Sequence, residues 1–232
     1  MIRRPQIQKM SSSVNFILDG NSLGFGLGAT GGQNLSAQIV GLPPVFGSGA
    51  TMSNVCVSGQ TWRNMNGLDG GSSADVDAAF VNGKYNLLFA WETTNAVFNT
   101  GRTAAQVIQD ANDYIAARLA AHPTLKIIML RTLPRQVGPV VTDLASRIER
   151  NQTNDAVDAY FAANYRACGL SAFVDIRRSG SPWAFTDYTD ASFAANDSLW
   201  YEAAGGRVHL VNAGYAIVAG WCAEIIRRLP SR

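Results

Sequence analysis

The chain has 232 residues, of which 47% are hydrophobic and 16% charged, and its formal net charge is +2 at pH 7. This length and composition predict one folded domain with a substantial core and argue against intrinsic disorder. The small net charge gives no basis for nucleic-acid binding, and the absence of a run of about 18 apolar residues argues against a membrane span.

Neither the amino terminus nor the cysteines indicate export or metal binding. Residues 1–13 are predicted to form an amino-terminal extension and residues 14–232 a single domain. The extension is basic but continues into three serines, where a signal peptide needs an apolar run, so location stays open with the cytoplasm as default. The three cysteines lie far apart without a CxxC spacing, which indicates neither a zinc site nor a disulfide framework.

Five short apolar segments alternate with helical patterns along the chain. Strands are predicted at 15–18, 51–57, 86–90, 126–133 and 172–175, and helices at 35–40, from about 61, and at 74–81, 103–122, 143–168 and 212–229. This alternation predicts an α/β fold, a three-layer α/β/α sandwich with a mostly parallel five-stranded sheet.

A long irregular segment, 176–207, carries a concentration of aromatic residues: Trp183, Phe185, Tyr188, Phe193, Trp200 and Tyr201. Loops of this length inside compact domains are usually functional. Together with Trp62 and Trp91, which are expected nearby, the segment could offer a face to a sugar, an aryl group or a short acyl group. The alternative is that the segment packs its own aromatic side chains onto the core.

The segment that ends the first predicted strand supplies a candidate nucleophile. Residues 15–18 are followed by the turn formers Asp19, Gly20 and Asn21, which place Ser22 at the carboxyl edge of the sheet. Open parallel sheets bind ligands at this edge, so Ser22 is a candidate nucleophile; alternatively, Asn21 and Ser22 simply cap a helix. The glycines that follow do not have the GxGxxG spacing and predict a flexible loop that lets the backbone approach a ligand or another segment closely.

Three further positions could converge with Ser22. Gly59 follows the second predicted strand, Asn95 follows the third, and His209 precedes the last helix. A serine nucleophile needs a base, and histidine is the side chain suited to that role near neutral pH. The other histidine, His122, stands at a predicted helix end and is interpreted as structural.

Taken in order, these segments resemble the SGNH or GDSL-type hydrolase family over residues 15–226. Residues 20–23 (GNSL) are similar to the GDSL block, with Asn in place of the usual Asp, and residues 57–61 (VSGQT) to the glycine block. Residues 93–95 (TTN) are similar to the GxND block, with Thr93 for its glycine and Ala96 for its aspartate. Residues 208–215 (VHLVNAGY) are similar to the histidine block.

The resemblance implies the flavodoxin-like fold of that family and a serine esterase that needs no metal or cofactor. Ser22 would be the nucleophile and His209 the general base, and the Ser22 N–H, the Gly59 N–H and the Asn95 amide would form the oxyanion hole. The expected partner is a small-molecule or carbohydrate ester with a short acyl chain, such as acetyl. Oligomeric state stays open.

One departure concerns the catalytic acid. The family usually carries it three residues before the histidine, where this chain has Gly206. His209 could be oriented by a backbone carbonyl, or by Asp197, Glu202 or Glu92, or could act in a dyad with the serine.

The missing acid motivates a second hypothesis, a carbohydrate-binding or virion-type module with weak or lost catalysis. The retention of Ser22, Gly59, Asn95 and His209 argues against it. A third hypothesis, a flavodoxin-like nucleotide binder, is weakened by the lack of a phosphate-binding loop.

Overall fold

The structure, a computed structural model, describes residues 14–41, 50–71, 73–202 and 206–229. The predicted extension 1–13 lies outside the described residues. A five-stranded sheet in the order β2-β1-β3-β4-β5, with every pairing parallel, forms the centre: β1 (Val14–Gly20), β2 (Thr51–Asn54), β3 (Tyr85–Trp91), β4 (Lys126–Leu130) and β5 (Ala172–Val174). The predicted α/β sandwich with five strands is therefore confirmed.

Helices flank this sheet. They are α1 (Ser22–Phe25), α2 (Leu35–Gly41), α3 (Trp62–Met65), α4 (Ala74–Ala79), α5 (Thr94–Phe98), α6 (Ala104–Ala121), α7 (Leu144–Asn164), α8 (Asp190–Ala194) and α9 (Asn212–Ile226), with a 3-10 turn at Asp197–Leu199. Two apolar clusters lie on opposite faces of the sheet, because successive strand residues point to opposite sides. Phe16 and Leu18 of β1 belong to the cluster that includes α2 and α9, and Ile17 to the cluster that includes α6 and α7.

The strand order places β1 at a topological switch point. The chain passes from β1 to β2 on one side and then crosses to β3 on the other side. Ligands of open α/β sheets bind at such a point, outside the carboxyl ends of the strands. The segments after β1, β2 and β3 therefore meet at the edge where the sequence predicts the site.

Strand β2 is shorter than predicted, ending at Asn54 instead of residue 57. The Asn54 carboxamide accepts the N–H of Cys56 and interrupts the extended strand. Hydrogen bonds to β1 nevertheless continue, since Val55 donates to the Leu18 carbonyl at 2.9 Å and Val57 to the Gly20 carbonyl at 3.1 Å. This irregular continuation brings the following turn, with Gly59, alongside the end of β1.

The aromatic segment packs onto the core. Trp183, Tyr188, Phe193 and Trp200 are at most 4% exposed and belong to the cluster beside α9. The Arg177 side chain anchors the segment by donating hydrogen bonds to the backbone carbonyls of residues 183 and 185. Packing onto the core is thus the alternative that the structure supports.

The expectation that Trp62 and Trp91 line a binding face is wrong, because both are at most 1% exposed. The Trp62 ring packs against Tyr114, with ring centroids 5.5 Å apart. The Trp91 indole donates a hydrogen bond to the Arg131 carbonyl. Both rings therefore pack inside the protein and are not accessible to a ligand.

Among the described residues, no helix combines the length and hydropathy needed to cross a bilayer. Cys56, Cys168 and Cys222 are free thiols.

Candidate active site

The candidate nucleophile stands at the start of a short helix directly after β1. Asn21 is the N-cap of α1, and its side-chain oxygen accepts the N–H of Leu23 at 2.9 Å. Ser22 is the first residue of α1, and its Oγ lies 2.8 Å from Nε2 of His209. The two interpretations of this segment are therefore compatible, since the cap residue presents the serine at the sheet edge.

Glu202 is the carboxylate that contacts His209. Its Oε1 is hydrogen-bonded to His209 Nδ1, and its Oε2 accepts the backbone N–H groups of Val208 at 3.1 Å and His209 at 2.9 Å. The other two acids that the sequence left open are engaged elsewhere. Asp197 pairs with Arg207 at 2.7 Å, and Glu92 accepts the N–H of Asn95.

These hydrogen bonds set the charge state of the acid and the tautomer of the base. Burial raises the pKa of Glu202, but the bonds from the His209 side chain and from the two backbone N–H groups outweigh it, so the pKa lies below its ordinary value. An ionised carboxylate accepts a hydrogen bond from Nδ1–H and so keeps the proton on Nδ1, which leaves Nε2 as an acceptor for the Ser22 hydroxyl. The three side chains thus form a continuous Ser-His-Glu chain.

Backbone pairing brings Glu202 to His209. Tyr201 donates its N–H to the His209 carbonyl at 2.9 Å, and Val211 donates to Leu199 at 3.0 Å, so residues 199–201 run antiparallel to 209–211. Gly28, from the glycine-rich segment after α1, packs against this pair. A Cβ at Gly28 would lie 2.6 Å from the Leu210 carbonyl oxygen, which explains the close approach that the glycines predict.

Gly59 lies in the turn that follows β2 in the chain, alongside the carboxyl end of β1. Its φ is +87°, a backbone conformation that favours glycine, and among the described residues no heavy atom outside its two chain neighbours lies within 4 Å of a Cβ built there. The Gln60 side chain fixes the turn, because its amide donates to the Gly20 carbonyl at 2.5 Å and to Asp19 at 3.1 Å. The positive φ, and not crowding by other residues, therefore explains why glycine is favoured at position 59.

The side chain of Asn95, in the first turn of α5, is held by three hydrogen bonds. Its Nδ2 donates to the Gln60 carbonyl at 3.0 Å, and its Oδ1 accepts from Arg135 Nη1 at 3.0 Å and from Asn99 Nδ2 at 3.1 Å. Two donors on Oδ1 define which end of the amide is oxygen. Because the Nδ2 group has two hydrogens, it can donate a second bond.

The turn between β3 and α5 is buried and strained. Glu92 accepts the N–H groups of Asn95 at 3.0 Å and Ala96 at 3.1 Å, and burial raises its pKa to about 8, although these bonds oppose the rise. Thr93 has φ +133°, a value rare outside glycine, at the position where the resembling family carries glycine. Its hydroxyl accepts from the Trp62 indole at 3.3 Å. Thr93 therefore adopts a backbone conformation that ordinarily favours glycine.

A cavity of about 390 Å³ adjoins Gly59, and its lining includes Asp19, Val57, Gln60, Asn64 and Asp75. Burial raises the pKa of Asp19 to about 6, opposed by hydrogen bonds from Tyr114 and Gln60. These contacts give Asp19 a structural role at the end of β1. In the part of the chain that the structure describes, no group of three or more His, Cys, Asp or Glu side chains is placed to hold a metal ion.

Sequence reasoning missed Arg135, which contacts Asn95. It belongs to no motif that the sequence analysis identified. Its position after β4, the strand beside β3, is the signal that could have found it, since residues following neighbouring parallel strands meet at one edge.

Solved structures with the same fold include several hydrolases. A carbohydrate acetylesterase from Sinorhizobium meliloti is 12% identical, with a TM-score of 0.63 over 92% of this chain and 98% of that chain. A candidate SGNH hydrolase from Slackia heliotrinireducens is 16% identical, with a TM-score of 0.57 over 91% and 98%. A lipase/acylhydrolase from Enterococcus faecalis is 14% identical, with a TM-score of 0.51 over 94% and 98%.

Neither the protein-family models nor the curated protein sequences give a match to this chain. At identities of 12–17%, the similarity to solved structures establishes the fold. The resemblance that the four sequence blocks predict is confirmed at that level: the chain has the α/β fold of the SGNH/GDSL-type hydrolases.

Proposed function

We propose that the protein is a serine esterase that hydrolyses short-chain acyl esters. The observation that carries the proposal is the hydrogen-bonded chain from Ser22 through His209 to Glu202. A serine hydroxyl becomes a nucleophile when a base within hydrogen-bond reach accepts its proton and a third group orients that base. Both contacts, serine to histidine and histidine to glutamate, are present before any substrate binds.

The proposed reaction has two half-reactions. Ser22 Oγ attacks the ester carbonyl as its proton passes to His209 Nε2, and the imidazolium then protonates the departing alcohol. Water, deprotonated by His209, then attacks the acyl-enzyme, and Ser22 recovers its proton. Glu202 keeps the imidazole in the required tautomer and stabilises its charged form.

The proposed oxyanion hole consists of the Ser22 N–H, the Gly59 N–H and the Asn95 Nδ2 group. Gly59 and Asn95 belong to one connected unit, because the Asn95 amide donates to the carbonyl of Gln60 in the Gly59 turn. Preorganised donors of this kind stabilise the charge that develops on the carbonyl oxygen, and losing one typically costs about 3 kcal/mol.

The proposed substrate class is an ester of a short acyl group, with acetyl groups on carbohydrates included. The cavity beside Gly59 is lined by valine side chains and by amide and carboxyl groups, but not by Ser22, His209 or Asn95, so it does not identify the acyl-binding site. The similarity in fold to a carbohydrate acetylesterase is consistent with this class.

The alternative, a binding module with decayed catalysis, loses its motivation in this geometry. It rested on Gly206 at the usual position of the acid, and Glu202 supplies a carboxylate to His209 from another position. A decayed site would have no reason to keep the three side chains in hydrogen-bond contact.

The test combines covalent labelling with turnover. Wild type and Ser22→Ala are treated with a fluorophosphonate probe, and hydrolysis of 4-nitrophenyl acetate, butyrate and octanoate is measured with EDTA present. We expect labelling and turnover in wild type only, with the rate falling as the acyl chain lengthens. Ser36→Ala is the matched control, because Ser36 is as buried as Ser22 but contacts Asn34 and Asn54.

Equal labelling and turnover in wild type and Ser22→Ala would refute the proposed nucleophile. Absence of both in a folded wild type, together with saturable binding of an oligosaccharide, would favour the binding module instead.

A further inference from the structure

Arg135 places its guanidinium against the amide proposed to bind the oxyanion. Its Nη1 donates to Asn95 Oδ1 and its Nη2 to Asn99 Oδ1, both at 3.0 Å, while its Nε donates to the Val137 carbonyl at 2.6 Å. All three guanidinium nitrogens thus have defined acceptors. The planar fork can satisfy them only in one orientation.

The main chain of Arg135 is held as firmly as its side chain. The fully buried Asn151 of α7 accepts the Arg135 N–H at 2.9 Å and donates to the Arg135 carbonyl at 2.8 Å. The guanidinium carbon also lies 5.2 Å from the centroid of the Phe98 ring, within the range of a cation–π contact. The guanidinium is therefore preorganised by α5, α7 and its own loop.

The guanidinium is a cation in this environment at neutral pH. Burial lowers the pKa of Arg135 to about 10, opposed by the carboxyl group of Glu92, once ionised, and by the carboxylate of Glu202. A charged donor makes a stronger hydrogen bond than a neutral one, so Arg135 binds Asn95 Oδ1 more strongly than Asn99 does.

We propose that Arg135 is a positioning residue that orients and polarises the Asn95 amide for the oxyanion. This inference rests on the proposed esterase function. With Oδ1 bound to the guanidinium, the amide presents Nδ2 to the site, whereas a flipped amide would present an oxygen to the developing negative charge. Electron withdrawal through Oδ1 also makes the Nδ2 hydrogens better donors, as expected for hydrogen bonds in series.

The size of the effect follows from the partners that remain. Without the Arg135 side chain, Asn99 still donates to Asn95 Oδ1, so the amide keeps part of its preference. Loss of a whole oxyanion donor costs about 100- to 1,000-fold in kcat. We therefore expect Arg135→Met to lower kcat by about 10- to 100-fold and to leave KM within about threefold, because the group acts only in the transition state.

A double-mutant cycle with Asn95 separates positioning from a general structural role. kcat and KM for 4-nitrophenyl acetate are measured for wild type, Arg135→Met, Asn95→Ala and the double variant. We expect Arg135→Met to cost less than about threefold once Asn95 is alanine, because no amide is left to orient. The inference would be overturned if Arg135→Met lowered kcat by the same factor in the wild-type and Asn95→Ala backgrounds, or if it did not lower kcat when Asn95 is present.

Two further variants keep the test decisive if Arg135→Met is poorly folded. Arg135→Lys retains the positive charge but not the forked guanidinium, and we expect a kcat between those of wild type and Arg135→Met. A kcat equal to that of wild type would show that the forked geometry is not needed to orient Asn95. Arg102→Met is the matched control, because Arg102 is also half-buried and bonds to Asp110 at 2.9 Å. It should lose stability with kcat unchanged, and a kcat loss equal to that of Arg135→Met would overturn the inference.

The two proposals fail in different ways. If Ser22→Ala and Asn95→Ala abolish or reduce turnover while Arg135→Met behaves as wild type, only the positioning role is overturned. If Ser22→Ala turns over as fast as wild type, the esterase proposal is overturned and the positioning role with it.

Discussion

The carboxylate of Glu202 is the group whose removal tests the catalytic geometry most directly. It accepts three hydrogen bonds, one from His209 Nδ1 and two from the backbone N–H groups of Val208 and His209. In Glu202→Gln, the single carbonyl oxygen is needed by the two backbone donors. The amide NH2 group then faces Nδ1, which must become an acceptor.

The consequence for His209 is a reversed tautomer. With its proton on Nε2, the imidazole donates to Ser22 Oγ and cannot accept the hydroxyl proton. Replacing the carboxylate of a Ser-His-acid triad by the corresponding amide lowers kcat by about 10,000-fold for this reason. For Glu202→Gln we expect a loss of about 1,000- to 10,000-fold, equivalent to about 4 to 5.5 kcal/mol in the activation barrier. KM should change little, because Glu202 acts behind the imidazole.

The assay is steady-state hydrolysis of 4-nitrophenyl acetate, with active-site concentration from fluorophosphonate titration and folding checked by circular dichroism. Asp197→Asn is the control, since Asp197 was an equal candidate in the sequence but pairs with Arg207. It should retain the wild-type kcat. A Glu202→Gln variant within tenfold of wild type, or a large loss in Asp197→Asn, would refute the assignment of the acid.

Three further predictions concern burial and backbone shape. Burial raises the pKa of Glu92 from 4.5 to about 8, so the folded protein holds a proton that the unfolded chain has released, and stability falls as pH rises through that window. The free energy of unfolding is measured in urea at pH 5 and at pH 8.5. Between these two values, wild type should lose about 3 kcal/mol more than Glu92→Gln, and an equal loss in the two proteins would contradict this. Arg177→Met should cost about 3 to 5 kcal/mol in the same assay, because it strands two carbonyls and the buried Tyr188 hydroxyl and removes the ion pair with the partly exposed Asp155. Arg178→Met at the surface should cost under about 1 kcal/mol, and equal costs would contradict the anchoring role. Gly59→Ala and Gly83→Ala both place alanine at φ above +80° in open space, so each should cost about 1 to 2 kcal/mol, but only Gly59→Ala should reduce kcat, by about tenfold or more. Equal kcat in the two glycine variants would argue against an oxyanion role for Gly59.

Much of the fold followed from local sequence patterns. Apolar segments ending in turn formers located all five strands, and the helical periods located the long helices α6, α7 and α9. Parallel strands of one sheet end at a common edge, so the positions after β1 and β3 placed Ser22 and Asn95 in one neighbourhood. The short helices α5 and α8 were not predicted, and α1 was predicted only as the alternative that Asn21 and Ser22 cap a helix, since four or five residues give little periodicity.

The aromatic segment shows where local pattern gave no decision. Six aromatic residues in a long loop suit either a binding face or a packed cap, and nothing in their spacing distinguishes the two. The choice depended on whether the adjoining core surface needed covering. The structure buries Trp183, Tyr188, Phe193 and Trp200 there and leaves Tyr201 58% exposed.

The sequence by itself determined the strand and helix order, the candidate nucleophile and base, and the turn glycine, because each depends on residues adjacent in the chain. Only the tertiary structure decided that Glu202, among three carboxylates, reaches His209, and that Arg135 reaches Asn95. The first contact depends on antiparallel pairing of 199–201 with 209–211, and the second on the neighbouring places of β3 and β4 in the sheet. Glu202 and His209 are 7 residues apart in the chain, and Arg135 and Asn95 are 40 apart. Neither contact leaves a signature in a short segment of sequence, because each depends on how the backbone pairs and packs in the folded domain.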